Sequence, residues 1–109
     1  MSKRALCLVF TSPAPGRDAD FDAWYDRQID GILSVPGWVG AQRYDFDSKP
    51  EGHGDIEPGW SHLVVYELQG DVGEAFRLLD EKLASGEVGS APDGALAAGH
   101  ACWVFTPKG

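Results

Sequence analysis

The sequence predicts an α+β fold of order βαββαβ, in which four antiparallel strands form one sheet and two helices cover one of its faces. Three observations predict it: strand-length apolar or alternating runs, two stretches with apolar residues at three- and four-residue steps, and Gly/Pro-rich breaks between them. The 109 residues fit a single domain, residues 1–109. The hydrophobic fraction of 43% is too high for a disordered chain.

The beginning of the chain predicts a strand followed by a helix. Residues 5–10 are continuously apolar, which predicts a strand that is buried on both faces. A Pro/Gly turn follows, and Asp18 is expected to cap a helix that ends before Pro36. The apolar stripe of this helix consists of Phe21, Trp24, Tyr25, Gln28, Ile29 and Ile32.

The rest of the chain completes the pattern. Residues 38–46 alternate, which predicts a second strand with Trp38 and Tyr44 on the same side. The remaining elements are a polar loop (47–59), a strand (61–68), a helix capped by Gly70–Asp71 with the stripe Val72, Ala75, Phe76, Leu79 and Leu83, a Gly/Ala-rich connection (85–99) and a last strand (100–106). The connection is long for a structureless segment, so we expect it to be functional or mobile.

The element order, with right-handed crossovers, gives the ferredoxin-like arrangement with both helices on one face of the sheet. Apolar side chains occupy nearly every position of the first, third and last predicted strands. The second face would therefore be a large exposed apolar patch on a monomer. Pairing with a second copy buries it, so the sequence predicts a homodimer in which two sheets form a dimeric α/β barrel.

The charge pattern excludes several classes of partner. Seventeen acidic residues against nine basic ones give a net charge of −8, and no Lys/Arg cluster stands out, which argues against nucleic acid and anionic membranes. No run reaches the roughly 20 apolar residues that cross a bilayer, and a cytoplasmic protein is expected. Cys7 and Cys102 are predicted to be buried free thiols, and no metal site is expected because neither has a ligand at metal-binding spacing.

Three segments resemble the EthD-like group of the dimeric α/β-barrel superfamily. Its members read as a strand, a Pro-Gly-Arg turn, a Trp-Tyr helix ending in His-x-Pro, and Pro-Gly-Phe-x-x-Ala-Gln-Arg. The matching segments here are Val9–Arg17, Phe21–Asp26 and Ser34–Tyr44, and Leu63–Leu68 extends the match. The resemblance implies the dimeric barrel fold, but it leaves the activity open because the superfamily contains isomerases, cyclases, monooxygenases and haem-degrading enzymes.

One departure from the group's pattern affects the expected chemistry. Gln28 stands where the His of His-x-Pro would fall, and Asp30 stands at the proline position. Glutamine does not titrate near neutral pH, so a general acid or base at that position is lost. Gln28 remains a candidate for a hydrogen bond to a ligand, with an ordinary helix-surface role as the alternative.

His62 is the first candidate for acid–base chemistry. The segment Gly59–His62 is similar to the Gly-Tyr-Thr-His segment of the stress-responsive branch, in which this His lines the pocket of cyclase members. The alternative is a strand histidine that is tied to a neighbouring loop. His100, at the start of the last strand, is a second pocket candidate.

Aromatic residues supply the rest of the expected site, in the space between helices and sheet. A Tyr hydroxyl beside a neutral His can polarise a carbonyl or relay a proton. The candidate catalytic residues are His62, Tyr66 and Tyr25, and the candidate substrate-binding residues are Trp24, Gln28, Trp38, Tyr44, Trp60 and His100. Most of these aromatics also fit an ordinary core.

Three functions fit these residues. The first is a cofactor-independent enzyme, of the cyclase, isomerase or lyase type, that acts on a small hydrophobic, aromatic or polyketide-like molecule. The second is a ligand-binding protein that has the same pocket and no turnover. The third is a cofactor-independent monooxygenase. None of the three requires a cofactor.

Overall fold

The computed structural model describes residues 4–109 and confirms the predicted α+β, ferredoxin-like arrangement. The elements are β1 (Ala5–Thr11), α1 (Asp18–Leu33), β2 (Trp38–Asp45), β3 (His62–Leu68), α2 (Val72–Ser85) and β4 (Ala101–Phe105). The strands form one sheet in the order β2-β3-β1-β4, and each neighbouring pair is antiparallel. The two strands joined by each helix are therefore separated by one other strand: β3 lies between β1 and β2, and β1 lies between β3 and β4.

The sheet has one buried and one open face. Along β3 the burial alternates without interruption, and Val64 and Leu68 are almost fully buried. The prediction that β1 is buried on both faces is wrong for the single chain, because Leu6 on its second face is 38% exposed. The β4 strand is exposed along most of its length. The helices form a single layer on one face of the sheet, and the molecule is accordingly thin, with extents of 39 × 38 × 18 Å.

The two helices begin differently. In α2 the Asp71 side chain accepts a hydrogen bond from the Glu74 amide at 2.9 Å, which confirms the predicted cap. In α1 the N-cap residue is Arg17, with no side-chain cap, so the prediction that Asp18 caps this helix is wrong by one residue. Asp18 instead lies in the first turn, where a carboxylate is favoured by the helix dipole.

A β-bulge near the start of β2 changes which side chains share a face. Trp38 pairs with Leu68, whereas Gly40 pairs with Glu67, so Val39 is an extra residue without a partner. Trp38 therefore faces the helices with 3% exposure, and Tyr44 faces the open side with 51% exposure. The prediction that Trp38 and Tyr44 lie on the same side is wrong, because strict alternation holds only after the bulge.

The connection from α2 to β4 is held against the rest of the fold. Val88 and Ala95 are buried, and Leu96 forms an isolated β-bridge with Pro13. The Ala14 amide donates to the Ala95 carbonyl at 2.9 Å. These contacts place the connection beside α1 and β1, where it forms one wall of a cavity. Neither helix is long and apolar enough to cross a membrane, within residues 4–109.

Candidate functional site

A cavity of about 210 Å³ lies between the sheet and the helices. It is smaller than the roughly 300–1,000 Å³ typical of ligand pockets, and it equals about seven water volumes at roughly 30 Å³ each. Its walls come from both layers and from the connection after α2. The lining residues are Cys7, Val9, Thr11, Trp24, Tyr25, Gln28, Ile32, Trp38, Tyr66, Phe76, Leu79, Leu96, His100 and Cys102. The cavity therefore fits one compact, largely apolar molecule.

A chain of hydrogen bonds connects the cavity to His62. The Tyr25 and Thr11 hydroxyl oxygens are 2.9 Å apart, and the Thr11 hydroxyl is 3.3 Å from His62 Nδ1. Thr11 and His62 are buried because both lie on the helix-facing side at paired positions of β1 and β3. The rings of Phe21 and Tyr25 pack on His62 with centroid separations of 4.9 and 4.6 Å. His62 thus lies behind Thr11 and Tyr25, and its side chain is not part of the cavity lining.

Arg43 holds the other side of the imidazole. Its Nε–H donates to His62 Nε2 at 2.9 Å, and its terminal nitrogens bind Asp22 at 2.7 Å and Asp26 at 3.3 Å. The guanidinium carbon also lies 5.2 Å from the centre of the Tyr25 ring. Since Arg43 is always a donor, Nε2 is the acceptor nitrogen and the proton of the neutral imidazole lies on Nδ1.

The electrostatics keep His62 neutral. Burial, and then the nearby Arg43 charge, lower the pKa of His62 to about 4, although Asp45 and Asp22 act in the opposite direction. Both ring nitrogens are also occupied by hydrogen bonds. His62 is therefore arranged as a fixed donor to Thr11, and it has no free nitrogen with which to take a proton from a ligand.

The hydrogen bonds run in one direction, from His62 through Thr11 to Tyr25. His62 Nδ1–H donates to the Thr11 oxygen, and the only acceptor for the Thr11 hydroxyl hydrogen among residues 4–109 is the Tyr25 oxygen. In this arrangement the Tyr25 O–H has no acceptor among residues 4–109, and Tyr25 lines the cavity. Burial raises the pKa of Tyr25, so its hydroxyl keeps its proton at neutral pH.

Two other polar side chains of the cavity have unused hydrogen-bonding capacity. Tyr66 is 2% exposed, and its hydroxyl makes no hydrogen bond within the described part of the chain. Burial raises the pKa of Tyr66 as well. Gln28 Oε1 is buried and accepts no hydrogen bond from residues 4–109. A ligand that carries both a donor and an acceptor would satisfy these groups.

The structure places the remaining cavity candidates as follows. Trp24 and Trp38 line the cavity while their indole N–H groups are engaged, with the Gly89 carbonyl at 3.4 Å and the Ala75 carbonyl at 3.0 Å. These two tryptophans therefore offer apolar ring surface to a ligand. His100 also lines the cavity, just before β4, and is exposed at its mouth.

Two of the predicted ligand-binding residues lie elsewhere. Trp60 stacks on Phe10 and Trp103, with centroids 5.3 and 6.1 Å away, on the open face of the sheet. Tyr44 is on the same face, and both line a smaller cavity of about 150 Å³. Trp60 precedes β3, which begins at His62, and its ring therefore lies away from Tyr66 and the main cavity, although Trp60 and His62 both line the smaller cavity.

The two cysteines lie next to each other at the β1–β4 side of the main cavity. Both are free, and their sulfur atoms are 3.5 Å apart. Cys7 is fully buried, as predicted, but Cys102 is exposed, because neither helix covers β4. A hydrogen bond from Cys7 lowers the pKa of Cys102 to about 7, and the same bond, with burial, raises the pKa of Cys7.

Thr11 and Arg43 also belong to the site, although the sequence did not single them out. Thr11 shares the parity of Cys7 and Val9 in the first strand, so the alternation placed it on the helix-facing side. Arg43 shares a face with Ala41, and its contact with His62 depends on how β2 and β3 pair. No local pattern indicates that contact. No group of three or more His, Cys, Asp or Glu side chains that could hold a metal ion occurs among the described residues.

No protein-family model matches the chain, and no curated protein matches it in sequence.

Proposed function

We propose that the protein is a homodimeric enzyme that binds a compact, largely apolar molecule in the main cavity and catalyses proton transfer next to its carbonyl or hydroxyl oxygen. The observation that carries the proposal is Tyr25, which lines the cavity and whose hydroxyl stands at the end of the hydrogen-bond chain through Thr11 and His62. The resemblance to the EthD-like group is compatible with this chemistry, since the superfamily includes isomerases and cyclases.

Tyr25 is the residue that acts on the ligand in this proposal. When a water molecule or buffer base in the open cavity takes a proton from the carbon next to a carbonyl, negative charge develops on the carbonyl oxygen, and a neutral hydroxyl fixed beside that oxygen stabilises it. Return of a proton from the solvent to the same carbon completes the transfer. The pKa of Tyr25 is raised by burial, which keeps the hydroxyl protonated. His62 and Arg43 act through Tyr25 as positioning residues, because they fix the direction of the hydrogen bonds.

The size of the cavity narrows the substrate. About 210 Å³ accommodates a single substituted ring or an aliphatic molecule of similar volume, whereas a fused polyketide would require the walls to move. The ring surfaces of Trp24 and Trp38 favour an aromatic body. Gln28 and Tyr66 would bind a second polar substituent.

A set of small aromatic ketones tests this proposal. Binding is followed by the fluorescence of the cavity tryptophans, and chemistry by the exchange of the hydrogens next to the carbonyl in deuterated buffer, observed by NMR. We expect the wild-type protein to bind and to accelerate exchange. Tyr25→Phe should lose the acceleration and bind about tenfold more weakly, since one hydrogen bond contributes about 1.4 kcal/mol.

Matched variants separate the outcomes. Phe76→Tyr adds a hydroxyl to the cavity wall but leaves the hydrogen bonds of His62 and Thr11 unchanged. In a Tyr25→Phe background it should therefore not restore the acceleration of exchange. If Tyr25→Phe accelerates exchange as well as wild type does, the proposed catalytic role is wrong. Binding without any exchange supports the second candidate, a ligand-binding protein. The unpartnered Gln28 acceptor and the fully engaged His62 ring favour this second candidate.

The homodimer rests on the open face of the sheet. Trp103 and Phe105 on β4 are 50% and 55% exposed, and Leu6 on β1 adds to the same apolar surface. The radius of gyration is 15.0 Å, against about 13 Å for a compact domain of 100 residues. A second copy that covers this face would bury the patch and thicken the molecule.

Light scattering after size-exclusion chromatography measures the oligomeric state. We expect a dimer for the wild-type chain and a monomer for Trp103→Glu, because a buried unpaired carboxylate is costly at an apolar interface. Glu81→Ala on the exposed side of α2 is the control that leaves the dimer intact. A wild-type monomer at micromolar concentration would contradict this part of the proposal.

A further inference from the structure

Two thiols that the proposed activity does not use lie side by side in neighbouring strands. Cys7 pairs with Val104 and Cys102 pairs with Val9, so both cysteines point to the helix-facing side of the sheet at diagonal positions of β1 and β4. Their sulfur atoms are 3.5 Å apart, and a disulfide bond requires about 2.05 Å. The gap is therefore about 1.5 Å, which a small shift of the edge strand β4 together with the side chains would close.

The two thiols have different environments. Cys102 is exposed and lies on β4, an edge strand that pairs with β1, while Cys7 is 0% exposed between the sheet and the helices. Small oxidants in solution therefore reach Cys102 first. Its pKa is lowered to about 7 by the hydrogen bond from Cys7, so a large fraction is thiolate, the reactive form, at neutral pH.

We propose that Cys102 and Cys7 form a redox-active pair at the wall of the cavity, in which Cys102 reacts with a hydroperoxide and Cys7 then closes an intramolecular disulfide. The Cys102 thiolate attacks the peroxide, which breaks the O–O bond and gives a sulfenic acid and, from hydrogen peroxide, hydroxide. The Cys7 sulfur then attacks the Cys102 sulfur, and the sulfenic oxygen leaves as water with the Cys7 proton. In total, two thiols and one hydrogen peroxide give one disulfide and two waters.

The position of β4 permits this closure. Within residues 4–109 its one sheet neighbour is β1, and four of its five residues are exposed, so a small displacement of the strand breaks few packed contacts. The disulfide would lie in the lining of the main cavity, since both cysteines line it. The pair is independent of the proposed catalysis, because its reaction needs no ligand in the cavity and does not involve Tyr25.

Titration of the reduced full-length chain with hydrogen peroxide tests the pair. The free thiols are alkylated under denaturing conditions, and the intact mass is measured before and after reduction. We expect the wild-type chain to lose two hydrogen atoms, to take up no alkylating agent and to recover both thiols with dithiothreitol. Proteolysis without reduction should then yield the peptide of Cys7 linked to that of Cys102 within one chain.

Single substitutions separate the two roles. In Cys7→Ala, Cys102 should accumulate oxygen atoms because nothing resolves its sulfenic acid, and in Cys102→Ala the buried Cys7 should stay reduced. The wild-type peptide map decides the question even if either variant fails to fold. The proposal is overturned if wild-type Cys102 gains oxygen without a disulfide, if both thiols stay alkylatable, or if the disulfide joins two chains.

Discussion

Acidification should destabilise the protein through His62. The imidazole is buried and neutral in the folded state, where its pKa is lowered from 6.5 to about 4 by burial and Arg43. In the unfolded chain the same ring becomes protonated near pH 6.5. The unfolded state therefore binds the proton first as the pH falls, so the free energy of unfolding decreases between pH 6.5 and about 4 and His62 causes no further loss below that range.

The size of the effect follows from the pKa difference. Each pKa unit corresponds to about 1.36 kcal/mol, so the full loss between pH 7 and pH 4 is roughly 3 kcal/mol. At pH 5.5, one unit below the pKa of the unfolded chain, the loss is about 1.4 kcal/mol. Native proteins have stabilities of about 5–15 kcal/mol, so this contribution is large enough to measure.

Urea unfolding followed by tryptophan fluorescence at several pH values measures the loss. His62→Gln provides the comparison, because its amide can donate to Thr11 and accept from Arg43 but does not titrate. From pH 7 to pH 4, wild type should lose roughly 3 kcal/mol of stability relative to His62→Gln. His53→Gln, in an exposed loop, is the control with the wild-type pH dependence. The reasoning would be refuted if the difference in free energy of unfolding between wild type and His62→Gln stayed constant with pH. An NMR titration of His62 with a midpoint near 6.5 would refute it as well.

Two further predictions concern the backbone. Gly37→Ala should lower the free energy of unfolding by about 2–4 kcal/mol, because Gly37 has φ +96° and a Cβ there would lie 3.0 Å from the Ala75 Cβ. Gly52 is the control, since it has φ +81° but open space around it. In the same urea experiment, Gly52→Ala should lower the free energy of unfolding by only about 1–2 kcal/mol. Asp71→Ala should cost about 1 kcal/mol, because the Glu74 amide loses its cap; an Asp71→Asn variant that is no more stable than Asp71→Ala would contradict that reading.

Local signals in the sequence predicted most of the fold. The alternation over residues 61–68 matches the burial of β3, because side-chain direction in a strand follows from the backbone alone. The stripe from Phe21 to Ile32 matches the buried side of α1 for the same reason. The cap at Asp71 is likewise a contact between residues three positions apart. Each of these features depends on neighbours in the sequence.

The candidate site was predicted less completely because it depends on contacts between distant residues. Tyr25, Gln28 and Tyr66 were predicted and lie at the cavity. The neutral, doubly bonded state of His62 was not predicted, because it requires Arg43 to reach it from another strand. The bulge in β2 was missed because Val39 is apolar and fits either side of an alternating pattern. Trp60 lies just outside β3, so the alternation of that strand does not determine its face.

The unpaired Val39 separates β2 into two functional halves. Before it, the strand delivers Trp38 to the cavity wall, and after it, Arg43 reaches His62 while Tyr44 joins the open face. Trp38 and Arg43 are five positions apart, and strict alternation would put them on opposite faces, so the extra residue is what lets both face the helices. If Val39 entered the ladder while Trp38 stayed in the core, Arg43 would turn towards the open face and His62 Nε2 would lose its donor. Deleting Val39 would instead leave a regular ladder with the same pairs, so Arg43 would still reach His62. The bulge therefore sets the face of Arg43, even though Val39 itself is 42% exposed and contributes little to the core.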